Sequence, residues 1–365
     1  MPQAHVSPPN VITGKHDVSY DTYLDQVMSR FPEDQRDRGD ARTAQLMMQN
    51  LGVDTQWWSR AVDSDIVAGR GVGKRNQATL DDVVGMATEA VEQALLAGSV
   101  DPKSIDAVVL SNVSYWGSPG IISYLVQPCG LRQDVKKIEL GRAACAGGAT
   151  AFATAFDHVA AYPDARVLVV VAERLTTIHH GEDTAPMDLV YGRTFSDAAA
   201  ASVVSGYRAD DRELRKRLGR GMVITHTHEY QLPDSLGYYF SELNEKSMRF
   251  GSDKRAPKAT AEIIPKVIEW MKREGIPDPE WVALHPGSAP IIRVMAKAFG
   301  IDPDVNGMAR HSYRSLKGGN KGGAAVMEVL AFTCDDPPAE GAPGLLAAVG
   351  PGVNFVTCCG FFTHG

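Results

Sequence analysis

Apolar residues recur along this chain in more than one rhythm. From Leu80 they return every three or four positions, at Val83, Val84, Met86, Ala87, Ala90, Val91, Ala94 and Leu95, which predicts an amphipathic helix. Asp81 and Asp82 suit the first turn of such a helix and Gly98 its end. Short apolar runs at 106–113, 166–173, 280–285 and 344–351 read as buried strands, and 136–141 as another. A period-two stretch from Gly221 predicts a further strand. Helices are also predicted over 22–30, 43–51, 259–274 and from Ala289, with a loop over 60–77. Strands that alternate with helices predict the α/β class, with a largely parallel sheet covered on both faces.

One local arrangement occurs twice. Cys145-Ala146-Gly147-Gly148 opens an Ala-rich helical pattern, followed by apolar stretches at 166–173 and 198–206. Asn320-Lys321-Gly322-Gly323 opens a similar helix, followed by apolar stretches at 344–351 and 353–362. A strand pattern precedes each. The chain therefore divides into two similar α/β halves, 1–220 and 221–365, with the charged segment 208–220 at their seam. Two related halves can bring two helix N-termini to one cleft, a thiol on one and an amide on the other.

Composition narrows the class. At 365 residues, 44% hydrophobic and 22% charged, the chain fits a soluble globular protein of two packed units. A formal charge of −7 argues against a general nucleic-acid binder. No apolar run approaches the ~18 residues of a membrane span, and the N-terminus lacks a basic start followed by an apolar core, so neither a span nor a secretory signal is expected. The five cysteines are odd in number and irregularly spaced, without a CxxC pair. That pattern predicts reduced thiols in a cytoplasm, no disulfide framework and no zinc site.

Three residues stand out for chemistry. A thiol at a helix start, as at Cys145, faces unpaired N–H groups and a positive dipole end, both of which favour the thiolate. A free cysteine is ordinarily a small buried hydrophobe, and the matched unit at Asn320 tips the reading towards function. His285 ends an apolar strand before Pro286 and Gly287, and ligand-facing residues of α/β sheets gather at such strand ends. Asn320 could simply cap its own helix. The glycine-rich surroundings, Lys317-Gly318-Gly319-Asn320-Lys321-Gly322-Gly323, favour an amide that points into a cleft as an oxyanion donor. His226 and His228 alternate on a strand without an evident third metal ligand, and His179-His180 lie in a predicted loop. Structural roles are expected for all four. The basic run Arg212, Arg215, Lys216, Arg217 and Arg220 is a solvated face or a contact for a phosphorylated carrier.

Cys145, His285 and Asn320, in that order, resemble the catalytic triad of thiolase-superfamily condensing enzymes. The branches most similar are the type III polyketide synthases (chalcone-synthase-like) and β-ketoacyl synthase III. The likeness runs from about Ile105 to the C-terminus and includes Gly192-Arg193-Thr194-Phe195, His285-Pro286-Gly287 and Gly350-Pro351-Gly352-Val353. The His-Pro-Gly and Gly-Pro-Gly pieces resemble the type III branch, whereas Ala144-Cys145-Ala146-Gly147 is closer to synthase III. Phe195 and Phe250 fall where type III enzymes carry two gatekeeping phenylalanines, and with Gly350, Pro351 and Gly352 they are expected to bind substrate. Two departures are plain. The segment Tyr115-Trp116-Gly117-Ser118-Pro119 lacks the methionine that type III dimers insert across the subunit interface. Asn320 is followed by Lys-Gly-Gly rather than a hydroxyl-rich run.

The resemblance implies a thiolase-like fold of duplicated halves in α-β-α-β-α layers. It implies a cytoplasmic, homodimeric enzyme without metal or resident cofactor, acting on thioesters of CoA or an acyl carrier protein. The implied reaction is acylation of Cys145, then decarboxylative Claisen condensation with a malonyl-type extender, with His285 and Asn320 holding the enolate oxygen. An alternative within the same fold moves an acyl group to an alcohol or amine without forming a carbon–carbon bond; the intact Cys-His-Asn set favours condensation. A non-catalytic partner subunit would be expected to have lost the nucleophile, which is present here.

Overall fold

Two parts of the chain repeat one strand order around a shared pair of helices. The computed structural model describes residues 2–69, 71–245 and 248–365. The chain enters through β1 (Ala4–Val6) and β2 (Asn10–Thr13). A separate hairpin then pairs β3 (His16–Ser19) with β4 (Thr55–Trp58), enclosing α1 (Tyr20–Met28) and α2 (Gly39–Gln49) in sequence. Next come α3 (Asp65–Ala68), the long α4 (Val72–Ala97), β5 (Ala107–Asn112), α5 (Ile121–Leu125) and β6 (Lys136–Gly141). They are followed by α6 (Gly147–Ala161), β7 (Arg166–Arg174), α7 (Pro186–Thr194) and β8 (Asp197–Gly206). After α8 (Arg212–Leu218) come β9 (Gly221–Gln231), the hairpin β10 (Tyr239–Leu243) and β11 (Met248–Ser252), and α9 (Ala256–Arg273). The chain ends with β12 (Trp281–Leu284), α10 (Ala289–Ala298), α11 (Arg310–Lys317), α12 (Gly323–Asp335), β13 (Pro343–Gly350) and β14 (Asn354–Thr363).

Ten strands form one mixed sheet in the order β12-β13-β14-β9-β1-β8-β7-β5-β6, with β2 added on β8. The stretch β1-β8-β7-β5 matches β9-β14-β13-β12 strand for strand. In both, an earlier strand (β5, β12) runs parallel to the one that follows the Gly-Gly helix (β7, β13), and the next strand returns antiparallel; the first part adds β6 between β5 and α6, at the sheet edge. β1 and β9 pair antiparallel and join the two parts. A largely parallel sheet is not what forms. Among the described strands, parallel pairing is confined to β5–β6, β5–β7 and β12–β13. The reason is plain at β13, which passes into β14 through 351–353; a connection that short can only join antiparallel neighbours.

The layers follow from which face each apolar residue takes. On β7, Val167, Val169 and Val171 turn inward to a cluster with Ala149, Phe152 and Ala155 of α6 and Val326, Met327 and Leu330 of α12. Leu346 and Ala348 of β13 join the same cluster. The alternate residues of β7, Leu168, Val170 and Ala172, pack under α4, and those of β13, Leu345, Ala347 and Val349, under α9 and α10. Both strands are therefore covered on both faces, which is why they read as unbroken apolar runs. The resulting order is α4, sheet, α6 with α12, sheet, α9 with α10: a mixed α/β fold in five layers. β6 departs from the buried strand expected. It is the last strand of the sheet, and Lys136 and Lys137 are exposed.

The segment expected as a loop over 60–77 instead contains α3 and the first turns of α4. Those turns escape a search for aliphatic periodicity because they bury Arg75 and Thr79. The Arg75 guanidinium donates to the Val67 and Gly69 carbonyls at 2.6 and 3.3 Å. Asp82 accordingly lies in the third turn of the helix and pairs with Arg60 and Arg174 at 2.8 and 3.0 Å. No helix among the described residues is long and apolar enough to cross a membrane.

α6 and α12 meet backbone to backbone at their first turns. A Cβ on Gly148 would lie 2.3 Å from the Gly323 carbonyl oxygen, and one on Gly323 would lie 2.9 Å from the Gly148 nitrogen. Glycine at these positions is what lets the two helix starts converge.

Candidate active site

Cys145 is presented on a tight turn between β6 and α6. Arg142 and Ala144 both adopt positive φ, 73° and 46°, and Cys145 sits in the 3-10 turn Ala144–Ala146 just ahead of the helix. Such conformations cost about 1–3 kcal/mol each for residues other than glycine and persist only where the surroundings enforce them. Here the Arg142 guanidinium stacks over the Trp116 ring at 3.7 Å. Gly350 packs so closely from β13 that a Cβ on it would lie 2.8 Å from the Ala143 carbonyl oxygen. Burial works against the thiolate expected from the helix start. Burial pushes the Cys145 thiol up to about 12 and outweighs the hydrogen bond from Asn320 that favours the anion.

Behind the thiol lies Glu173 of β7, fully buried. Its carboxylate accepts hydrogen bonds from the backbone N–H of Val113 at 3.0 Å and of Ser114 at 3.2 Å. Burial raises its pKa to about 8, so near neutral pH it is mostly protonated and spares Cys145 a full negative neighbour.

His285 follows the last residue of β12. Its backbone N–H donates to the Ala347 carbonyl at 2.8 Å, and its own carbonyl accepts from Gly287 at 3.0 Å. Neither ring nitrogen has a hydrogen-bond partner among the described residues. Burial lowers its pKa to about 3, so the imidazole is neutral. One nitrogen can then donate and the other accept when a ligand arrives.

Asn320 lies on the connection between α11 and α12. Its N–H donates to Thr194 at 2.8 Å and its carbonyl accepts from Ser196 at 2.9 Å, a bridge that ties it to Phe195. Gly319 beside it has a φ of 81°, and a Cβ there would lie 2.3 Å from the Ser196 hydroxyl. The capping and cleft readings of Asn320 divide between its two amide atoms. Oδ1 accepts from Gly322 N–H at 2.9 Å ahead of α12. Nδ2 is turned the other way, towards the Gly287 carbonyl at 3.4 Å and the Cys145 sulfur.

All three side chains line one cavity of about 300 Å³, together with Phe195, Phe250, Gly350 and Pro351. Gly352 does not line it; a Cβ there would instead approach Gln231 and Leu236. Phe195 and Phe250 meet edge to face with centroids 5.3 Å apart, and Tyr191 meets Phe250 in the same way at 4.8 Å. On the far side of these rings a second cavity of only about 20 Å³ touches Cys145, walled by Val113, Leu175, Ile178 and Met248. That is room for about one water molecule.

Several lining residues had no signal in the sequence. Met47 and Leu51 come from the poorly matched first hundred residues, and Met187, Tyr191, Tyr239 and Ser252 look like ordinary helix or strand positions until the fold is known. Thr194 could have been found, since it precedes Phe195. The basic run lies on and beside the exposed helix α8, and none of it lines the cavity. His228 stacks on Trp270 at 4.6 Å, and His179 sits against Tyr23 and Trp58 with its Nε2 2.8 Å from Arg30; both have structural surroundings.

Comparison with known proteins agrees with this geometry. Residues 66–207 match the chalcone and stilbene synthase N-terminal domain. The chain is 30% identical to a 1,3,6,8-tetrahydroxynaphthalene synthase of Streptomyces peucetius over 77% of its own length and 73% of the relative's. It is 22% identical to a phloroglucinol synthase of Pseudomonas fluorescens over 97% and 98%. The crystal structure of a tetrahydroxynaphthalene synthase from Streptomyces coelicolor, 23% identical, superposes with a TM-score of 0.90 over 99% of this chain and all of the other.

Proposed function

The chain belongs to the type III polyketide synthases of the chalcone- and stilbene-synthase family, and from that premise we propose that Cys145, His285 and Asn320 carry out its chemistry. The enzyme is a decarboxylative condensing enzyme of secondary metabolism that uses a malonyl-type extender. An acyl-CoA as donor and a homodimeric assembly belong to the same proposal.

A neutral thiol beside a neutral imidazole sets the first step. As Cys145 Sγ attacks the donor thioester carbonyl, its proton passes to His285, so the charge that burial opposes in the free thiol forms only as the new bond forms. The tetrahedral intermediate expels the carrier thiolate, which takes the proton back from His285, and the acyl group remains on Cys145. A malonyl thioester then enters. One His285 ring N–H and the Asn320 Nδ2–H donate to its thioester carbonyl. Cleavage of the carbon–carboxylate bond releases CO₂ and leaves an enolate whose oxygen is held by the two donors. The enolate carbon attacks the acyl-Cys145 carbonyl; the carbon–carbon bond forms, the carbon–sulfur bond breaks, and the departing Cys145 thiolate takes up a proton from water to restore the thiol. A carboxamide suits position 320 because a carboxylate there would repel the enolate.

The observation that supports this reading best is the meeting of 145, 285 and 320, from three separate elements, in one chamber with a mostly apolar wall. Such a wall excludes water and strengthens each hydrogen bond to the developing charge. Intact-mass spectrometry with acyl-CoAs and CO₂ release from malonyl-CoA test it. The expected result is an acyl adduct on Cys145 and CO₂ release. An adduct that survives Cys145→Ala, or loading without any CO₂, would overturn it, the latter in favour of simple acyl transfer.

A further inference from the structure

Lys321, the residue after Asn320, is among the most deeply buried side chains of the molecule, with only 2% of its side chain exposed. Its ammonium lies 2.9 Å from Glu328 Oε2 on α12 and donates to the carbonyls of Ser315 and Gly319 at 3.3 Å each. Glu328 Oε2 also accepts from the Ser315 hydroxyl at 2.5 Å. Lys321 does not line the chamber and touches none of the reacting atoms.

We propose that Lys321 is the positioning residue that fixes Asn320 for decarboxylation; this rests on the condensing reading above. A single ammonium joins the C-terminal turn of α11, the loop carbonyl beside Asn320 and the second turn of α12. The last carbonyls of a helix lack intrahelical partners and carry its negative dipole end, which a cation satisfies. The loop needs such a clamp. It contains Gly318, Gly319 and Gly322, two of them at positive φ, and glycine backbone is the least restricted of all. The bridge to 194–196 holds one side of Asn320, and Lys321 holds the other. A buried ion pair is poor evidence for stability, because desolvation of both charges offsets their attraction. Its worth here is geometric. In the matching turn the residue after Cys145 is Ala146, with no such clamp.

Lys321→Met and the double variant Lys321→Met/Glu328→Met, each in the full chain, provide the test. Three quantities are read: acyl loading of Cys145 by intact mass, CO₂ release from malonyl-CoA, and melting temperature. Both variants are expected to release CO₂ about a hundredfold more slowly, the size of loss that ~1 Å of misplacement brings, while loading is unchanged. The single variant leaves Glu328 buried without its cation and should melt lower. The double variant should recover the melting temperature but not the decarboxylation. Wild-type CO₂ release from a stable double variant overturns the proposal, and so does loading that falls in step with CO₂ release. Should the single variant not fold, the double variant decides. A wild-type protein that releases no CO₂ brings down the condensing reading itself.

Discussion

The turns at Cys145 and Asn320 occupy corresponding places in a repeated strand order, each just ahead of a helix that opens on glycine. They are built in opposite ways. The Cys145 turn is strained, with positive φ at Arg142 and Ala144, and its side chain has one hydrogen-bonding partner, Asn320. The Asn320 turn uses glycine wherever φ is positive and is held by the bridge to 194–196, by the Oδ1 bond to Gly322 and by the buried Lys321. Behind the thiol lies a carboxyl that burial keeps largely protonated; beside the amide lies a closed ion pair. A nucleophile must travel towards a carbonyl and change charge, whereas an oxyanion donor must be in place beforehand and stay there. The same scaffold serves both because these needs are met in the turns and their immediate supports rather than in the sheet.

The sharpest break of this comparison comes from deleting each side chain in turn. Cys145→Ala should abolish acyl loading and condensation outright, read as loss of the acyl adduct, while CO₂ release from malonyl-CoA persists because His285 and Asn320 remain. Asn320→Ala should do the reverse. Loading continues and decarboxylation falls about 10²–10³-fold, as for the loss of one preorganised oxyanion donor. Asn320→Asp should be at least as poor. If Asn320→Ala instead blocked loading while sparing CO₂ release, the two turns would have to exchange roles.

Much of this division could be read from the chain. The repeated Gly-Gly helix starts, the strand runs around them and the Cys, His and Asn positions all carry local signals, because a helix start, a strand end and a glycine-dependent turn are matters of neighbouring residues. What stayed hidden depends on contacts distant in sequence. The first turns of α4 bury Arg75 against the Val67 and Gly69 carbonyls and so lack an aliphatic stripe. At Cys145 the helix start argues for the anion, whereas the burial that opposes it exists only once the halves close. Nothing local marks Lys321, because its burial comes from the packing of α11 against α12.

A smaller effect should follow from parting the two helix starts without touching a catalytic atom. Gly148→Ala places a methyl group 2.3 Å from the Gly323 carbonyl oxygen, and the backbone there cannot yield without separating α6 from α12. Overpacking of this kind costs about 1–3 kcal/mol, measured as a lower urea midpoint. Loading and decarboxylation should fall together, since both turns move. An Asn320 turn that kept full decarboxylation in this variant would show that the two sites are mechanically independent.

The smallest expected effect lies beneath the thiol, and it separates a neutral Glu173 from an ionised one. The pKa of Glu173 rises from 4.5 to about 8 on folding because burial disfavours its anion. Between those values the folded protein therefore holds more protons than the unfolded chain. The stabilisation this provides is fully present below about pH 4.5 and is lost as pH rises through about 8. Glu173→Gln keeps an acceptor for the Val113 and Ser114 N–H groups but cannot ionise, so it removes that dependence. Urea unfolding at pH 5 and pH 8.5 should show the wild-type midpoint falling further than the variant's, with acyl loading of Cys145 at pH 7 nearly unchanged. Equal slopes in the two proteins would mean that Glu173 is already charged in the fold. The thiol would then face a standing negative neighbour, and the contrast between the two turns would lose its electrostatic half.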